Sequence, residues 1–234
     1  VSDGWGGNKG ASSVYSDNGA AHGYDLGDGV VKFPALIDPY PPYATYADYL
    51  AANSLTIPGP LTLSSTSFTM SDGNGNSITY NGSTGSLQIT GIVRVTGDIH
   101  IYGKSKSLTY QGNGTLYATD DIHVHSDVMP NTSFPLVDSL GLIAAKNMWI
   151  ACGSGDSQLT MALAMYAQYK ITINKQCEIG GTCVSSYFAM NNVPHIYQVP
   201  ELVNNLPPGM PGGEPINIVT ISVKSWQDVG GSGS

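Results

Sequence analysis

VRVTGDIHI (93–101), LYATDDIHV (116–124), LIAAKNMWI (142–150) and MYAQYKITI (165–173) align without a gap, and their reading decides the fold. Their first positions are Val93, Leu116, Leu142 and Met165, and their third are Val95, Ala118, Ala144 and Ala167. The seventh are Ile99, Ile122, Met148 and Ile171; the ninth are Ile101, Val124, Ile150 and Ile173. All sixteen are apolar, and the segments start 23, 26 and 23 residues apart. Alternation at i, i+2 is a strand signature, and the period is too short for a strand–helix–strand unit. The pattern predicts an all-β fold, a right-handed parallel β-solenoid with about 23 residues per turn, in which each turn adds one row to the same inward columns.

Around these segments the chain divides by composition. Residues 1–58 are rich in Gly, Asp, Tyr and Pro, irregular except for a short helix near 45–54 with Tyr46, Tyr49 and Leu50 on one side. Residues 59–190 hold a hairpin, LTLSSTSFTM and NSITY flanking SDGNGN, followed by the solenoid. A third strand per turn is expected around Leu108–Tyr110, Leu136–Val137, Leu159–Met161 and Cys177–Ile179. Residues 191–229 form a proline-rich return segment and a last alternating strand, INIVTISVKSW (216–226), that needs a partner sheet; 230–234 (GGSGS) read as a linker scar.

Only 11% of the residues are charged and the net charge is −8, which argues against bulk attraction to nucleic acid or anionic membranes. The excess acid lies near the start: residues 1–50 carry six Asp against Lys9 and Lys32, whereas 91–180 carry seven acids and six bases. There are three cysteines. Cys177 and Cys183 flank EIGGT, where a Gly-Gly turn would close a small disulfide loop; a Cys152–Cys177 link between adjacent turns is the competing pairing. The chain shows neither an export signal nor an apolar run long enough to span a membrane.

If the sixteen column positions point inward, their neighbours point outward. One outward column is Arg94, Tyr117, Ile143 and Tyr166; another is His100, His123, Trp149 and Thr172, with Tyr102 and His125 on the same face. Rows about 4.8 Å apart would stack these rings. The face reads as a stiff stacked wall, as a contact surface for sugars, single-stranded bases or protein, or as a metal site of His100, His123 and His125. No other cofactor is expected. Asp72, Asn74 and Asn76 match the start of a calcium loop, but Ser77 stands where glycine belongs, so a hairpin turn is the expectation. Asp98, Asp120 and Asp121 lie on neighbouring turns and could pair as carboxylates, yet no nucleophile or metalloprotease motif accompanies them; the chain reads as a non-enzyme.

FPALIDPY (33–40), ATYADYL (44–50), SDGNGNSITY (71–80), GIVRVTGDIHI (91–101), LGLIAAKNMWI (140–150), GDSQLTMALAMYAQ (155–168), SSYF (185–188) and VPHIYQVPELVNNLPPGMPG (193–212), in this order, resemble the PilX-type pilus-assembly proteins, which include the large ComZ-like competence pilins. The resemblance spans roughly 33–226 and is strongest at LPPGMPG and the closing Ser225-Trp226. It implies a minor pilin at the tip of an extracellular type IV pilus, with other pilins as partners and a membrane-anchoring helix that this chain lacks. It also implies that 216–226 is a strand of a pilin-like sheet, and that the module serves cell adhesion or DNA uptake in natural competence. For DNA contact the expected residues are Arg94, Lys104, Lys106, Tyr117, Lys146, Trp149 and Lys170. A glycan-binding adhesin or a purely structural spacer are the alternatives, and a β-helical carbohydrate-active enzyme comes last.

Overall fold

The computed structural model describes residues 34–211; INIVTISVKSW and the GGSGS end lie outside them. Among the described residues the fold is mostly β, with one short α-helix. Helix α1 (Tyr46–Ala52) opens on a capping box: the Thr45 hydroxyl accepts the Asp48 N–H, and the Asp48 carboxylate accepts the Thr45 N–H. It buries Tyr46 and Leu50, one turn apart.

Strands β1 (Ser54–Pro58) and β2 (Leu61–Leu63) come next, followed by an antiparallel hairpin of β3 (Phe68–Ser71) and β4 (Ser77–Asn81). The hairpin is shorter than LTLSSTSFTM suggests, because Leu61–Leu63 leaves it to pair in parallel with a later strand. Then follow β5 (Ser86–Thr96), β6 (Ile99–Ile101), β7 (Ser107–Gln111), β8 (Asn113–Ala118), β9 (Ile122–Val124), β10 (Asp127–Pro130), β11 (Ser139–Ala144) and β12 (Asn147–Ile150). The long β13 (Thr160–Ile173) and β14 (Glu178–Met190), the short β15 (His195–Gln198) and a 3-10 helix (Pro200–Asn204) complete the order.

Apart from the hairpin and its pairing with β5, every strand pair is parallel. Register follows the repeat. Leu55, Val93, Leu116, Leu142, Met165 and Cys183 are successive partners, as are Leu61, Ile99, Ile122, Met148, Ile171 and Phe188. All sixteen column residues are fully buried in one core. A further wall pairs Leu108 with Val128, Val128 with Met161, Met161 with Ile179 and Ile179 with Ile196. Because β5 and β13 each bend to serve two walls, the pairings close a parallel ring of six strands, β5, β8, β11, β13, β10 and β7, with the other strands added outside.

Two expectations are corrected. The third strand of the 26-residue repeat is β10, not Leu136–Val137: Val128 turns into the core, whereas Leu136 and Val137 are 64% and 61% exposed. The column Arg94, Tyr117, Ile143, Tyr166 does face away from the main core, but a second layer covers it. Tyr117, Ile143 and Tyr166 are buried under Leu36, Tyr46, Leu50 and Met210. The cover is also hydrogen-bonded down: the Tyr166 hydroxyl donates to the Pro34 carbonyl (2.6 Å), the Leu36 N–H to Gln168 Oε1 (2.8 Å), and the Tyr46 hydroxyl to the Gly209 carbonyl (3.0 Å).

Candidate functional site

A further wall is built by β6, β9, β12 and the end of β13. Strand alternation sets two outward columns here. The inner one reads Asp98, Asp121, Asn147, Lys170 and the outer His100, His123, Trp149, Thr172. The inner column is a hydrogen-bonded ladder. Asp98 Oδ1 accepts the Asp121 N–H (3.0 Å), and Asp121 Oδ1 accepts the N–H (2.9 Å) and side-chain amide (3.1 Å) of Asn147. Asp121 Oδ2 accepts the Trp149 indole N–H at 3.2 Å.

The outer column is stacked. The His100 and His123 rings lie 4.5 Å apart and 12° from parallel; beside them Tyr102 and His125 lie 4.5 Å apart and 7° from parallel. His123 stacks toward Trp149, and Lys170 Nζ sits 4.9 Å from the indole centroid, from the row on the other side. The indole is thus engaged by its neighbours in both rows and offers solvent an edge, not a face. Burial, reinforced by the charge that His100 would carry, holds His123 below the ordinary imidazole value. His125 Nδ1 lies 2.8 Å from Asp156 Oδ2, which also accepts the Gly153 N–H at 2.6 Å. Asp156 arrives from the β12–β13 loop, 31 residues downstream, and only folding reveals the contact.

Of the seven expected contact residues, Lys146, Trp149 and Lys170 lie on this wall, and Lys104 and Lys106 in the exposed turn that bounds it. Lys146 is neutralised by Asp120 (2.6 Å), which raises the lysine pKa. Lys106 donates to the Gly155 carbonyl at 2.6 Å and has no carboxylate partner among the described residues. Arg94 is on the adjacent wall, apart from these. Tyr117 is a correction: only 4% exposed beneath the second layer, it is closed to any ligand.

The Cys177–Cys183 disulfide is also corrected. All three cysteines are free. Gly180 and Gly181 do not turn the chain back but continue β14, pairing with Ala162 and Leu163, so the two thiols are drawn apart along one strand. Burial raises Cys177, and raises Cys183 to about 12. Cys152 donates to the Ile150 carbonyl (3.3 Å) and is likewise raised by burial. At SDGNGN, the Asp72 carboxylate is occupied by the Asn74 and Asn76 N–H groups and the Asn76 amide, while Asn76 Oδ1 accepts the Ile92 N–H. That is turn chemistry, and it lowers the Asp72 pKa, chiefly through the Asn76 side chain.

Among the described residues no helix is long and apolar enough to cross a membrane. No family model, curated protein or solved structure matches this chain.

Proposed function

We propose that this chain is the displayed part of an extracellular type IV pilus minor pilin. In this reading it is a non-enzymatic module whose right-handed parallel β-solenoid presents one wall for adhesion to surfaces or capture of DNA during natural transformation. The observation that carries the reading is the contrast between two walls of one stack. One is sealed by α1 and the 206–211 segment, while the next leaves a half-buried imidazole–indole ladder and its lysine rim open. Right-handedness follows from the strong preference of parallel crossover connections. The pilin assignment rests on the resemblance described above. A non-enzymatic role is supported by the carboxylates, since Asp120 is held by Lys146 and Asp121 accepts from Asn147 and Trp149.

Other pilins are the proposed partners at the far end of the stack. There β14 and β15 leave Tyr187, Met190, Val193, Ile196 and Tyr197 exposed on the last rows, an edge that stacked folds cover. Membrane attachment would come from a helix that is not among the described residues.

The rim makes DNA capture testable. Binding of labelled duplex and single-stranded DNA, followed by fluorescence anisotropy, is expected to weaken as salt rises. Lys104→Ala/Lys106→Ala/Lys170→Ala should lower affinity and flatten the logarithmic salt slope by roughly 2 to 3. Lys146→Ala should change little, because Asp120 already neutralises that charge. No binding at low salt would contradict DNA capture and leave adhesion as the role of the wall.

A further inference from the structure

The same wall carries a second kind of chemistry that does not depend on what it contacts. His100 and His123 occupy one outward column on adjacent rows, and His125 follows His123 on the same face. Their ligand nitrogens all lie within 4.8 Å of one another. We infer that His100, His123 and His125 form a binding site for one first-row divalent transition-metal ion of the zinc, nickel or copper class. Three imidazoles suit these ions and not calcium or magnesium, which take oxygen ligands.

Three features support the site beyond proximity. Nδ1 of His100 is buried and has no hydrogen-bond partner among the described residues, so an imidazole nitrogen in the cluster stands unsatisfied. His125 is already oriented as metal-bound histidines are: its Nδ1 is held by the Asp156 carboxylate, itself fixed by the Gly153 N–H, and this leaves Nε2 as the ligand. Asp98 and Asp121 stand on the same wall and favour a cation there, against Lys170 and the neutralised Lys146.

The rings as they stand are 5–12° from parallel, so the lone pairs in their planes do not converge. Two imidazole nitrogens sharing a tetrahedral zinc are about 3.3 Å apart. Rotation of His100 and His123 about their Cβ–Cγ bonds, a torsion with broad minima, would turn their nitrogens toward His125, which keeps its bond to Asp156. Chelation therefore replaces ring stacking, and a solvent molecule completes the fourth position.

Isothermal titration calorimetry of the whole chain with zinc chloride tests this. One saturable equivalent is expected, with no comparable heat from calcium chloride. His100→Gln, His123→Gln and His125→Gln should each weaken binding at least tenfold. Asp156→Asn should weaken it by about tenfold or more, and His195→Gln, outside the cluster, should leave it unchanged. Circular dichroism and metal-free unfolding curves confirm that each variant folds. Should one not fold, cobalt(II) bound to the unaltered chain gives an independent answer. A ligand-field spectrum without a thiolate charge-transfer band supports the histidine site, whereas a thiolate band places the ion at a cysteine and overturns it. Absence of saturable zinc binding, or binding that survives replacement of all three histidines, also overturns it.

Discussion

Ile143→Asp is expected to destabilise the fold by about 3 kcal/mol or more, as befits a carboxylate forced into an apolar cluster without a partner. By strand alternation Ile143 points away from the main core, and an exposed outward residue would tolerate the change. It is instead fully buried among Leu36, Tyr46, Leu50, Tyr117, Tyr166 and Met210. Arg94, in the same outward column, is two rows away, about 10 Å between backbones, with Tyr117 in the row between them. Thr62→Asp is the matched control. Thr62 is an outward, exposed residue of β2 on the open wall, and its replacement should cost less than about 0.5 kcal/mol. Urea unfolding of both variants measures the difference. Equal midpoints would mean that α1 and the 206–211 segment do not cover the Ile143 wall.

The second large effect separates two adjacent glycines. Gly181 has a φ of 143°, and a Cβ there would overlap the Leu163 carbonyl oxygen of the neighbouring row. Gly181→Ala must therefore shift backbone in both rows, at an expected cost of about 3 kcal/mol. A Cβ on Gly180 would meet nothing closer than the Met161 carbonyl oxygen at 3.9 Å, and its φ is not in the left-handed region. Gly180→Ala should stay within about 0.5 kcal/mol of the parent, or stabilise slightly by restricting the unfolded chain. Chemical denaturation reads the contrast, and proteolysis at β14 shows whether the last rows detach. Similar effects of the two substitutions would contradict the close approach of Gly181 to the Leu163 carbonyl.

The stacked columns were legible because strand alternation repeats at nearly constant spacing, and the ring ladder follows from the same alignment. One row was missed for a physical reason. LTIPGPLTL (55–63) fits the nine-residue template, with Leu55, Ile57, Leu61 and Leu63 facing the core. The β3–β4 hairpin, however, sets it 38 residues before Val93, outside the 23–26-residue period. The last row lies within TCVSSYFAM (182–190), which reads as a partial final turn; it loses one residue at the register shift opposite Ala167–Lys170, so the gapless template fits it only in part.

The covered wall had a signal of its own. LGLIAA and MALAMYA are nearly unbroken apolar runs, the mark of strands buried on both faces, and alternation alone does not say whether a second layer lies outside. The site was less legible where loops decide it. Asp156 reaches His125 from 31 residues away, and the Asp120–Lys146 pair depends on how two neighbouring rows meet. The cysteine pairing misled because a Gly-Gly pair reads as a turn unless the neighbouring row holds it extended, as Ala162 and Leu163 do.

The central claim is that residues aligned in the repeat are aligned in space, forming one stack that displays the ring wall. Double electron–electron resonance between spin labels at Thr62→Cys and Ala189→Cys tests it most directly. A Cys152→Ser background leaves the buried Cys177 and the high-pKa Cys183 unlabelled. Thr62, His100, His123, Trp149, Thr172 and Ala189 are successive partners, five row spacings end to end, or about 24 Å between backbones. A single narrow distance distribution at that separation plus the label tethers is the expected result. A broad distribution, or a mean far from it, would contradict the stack.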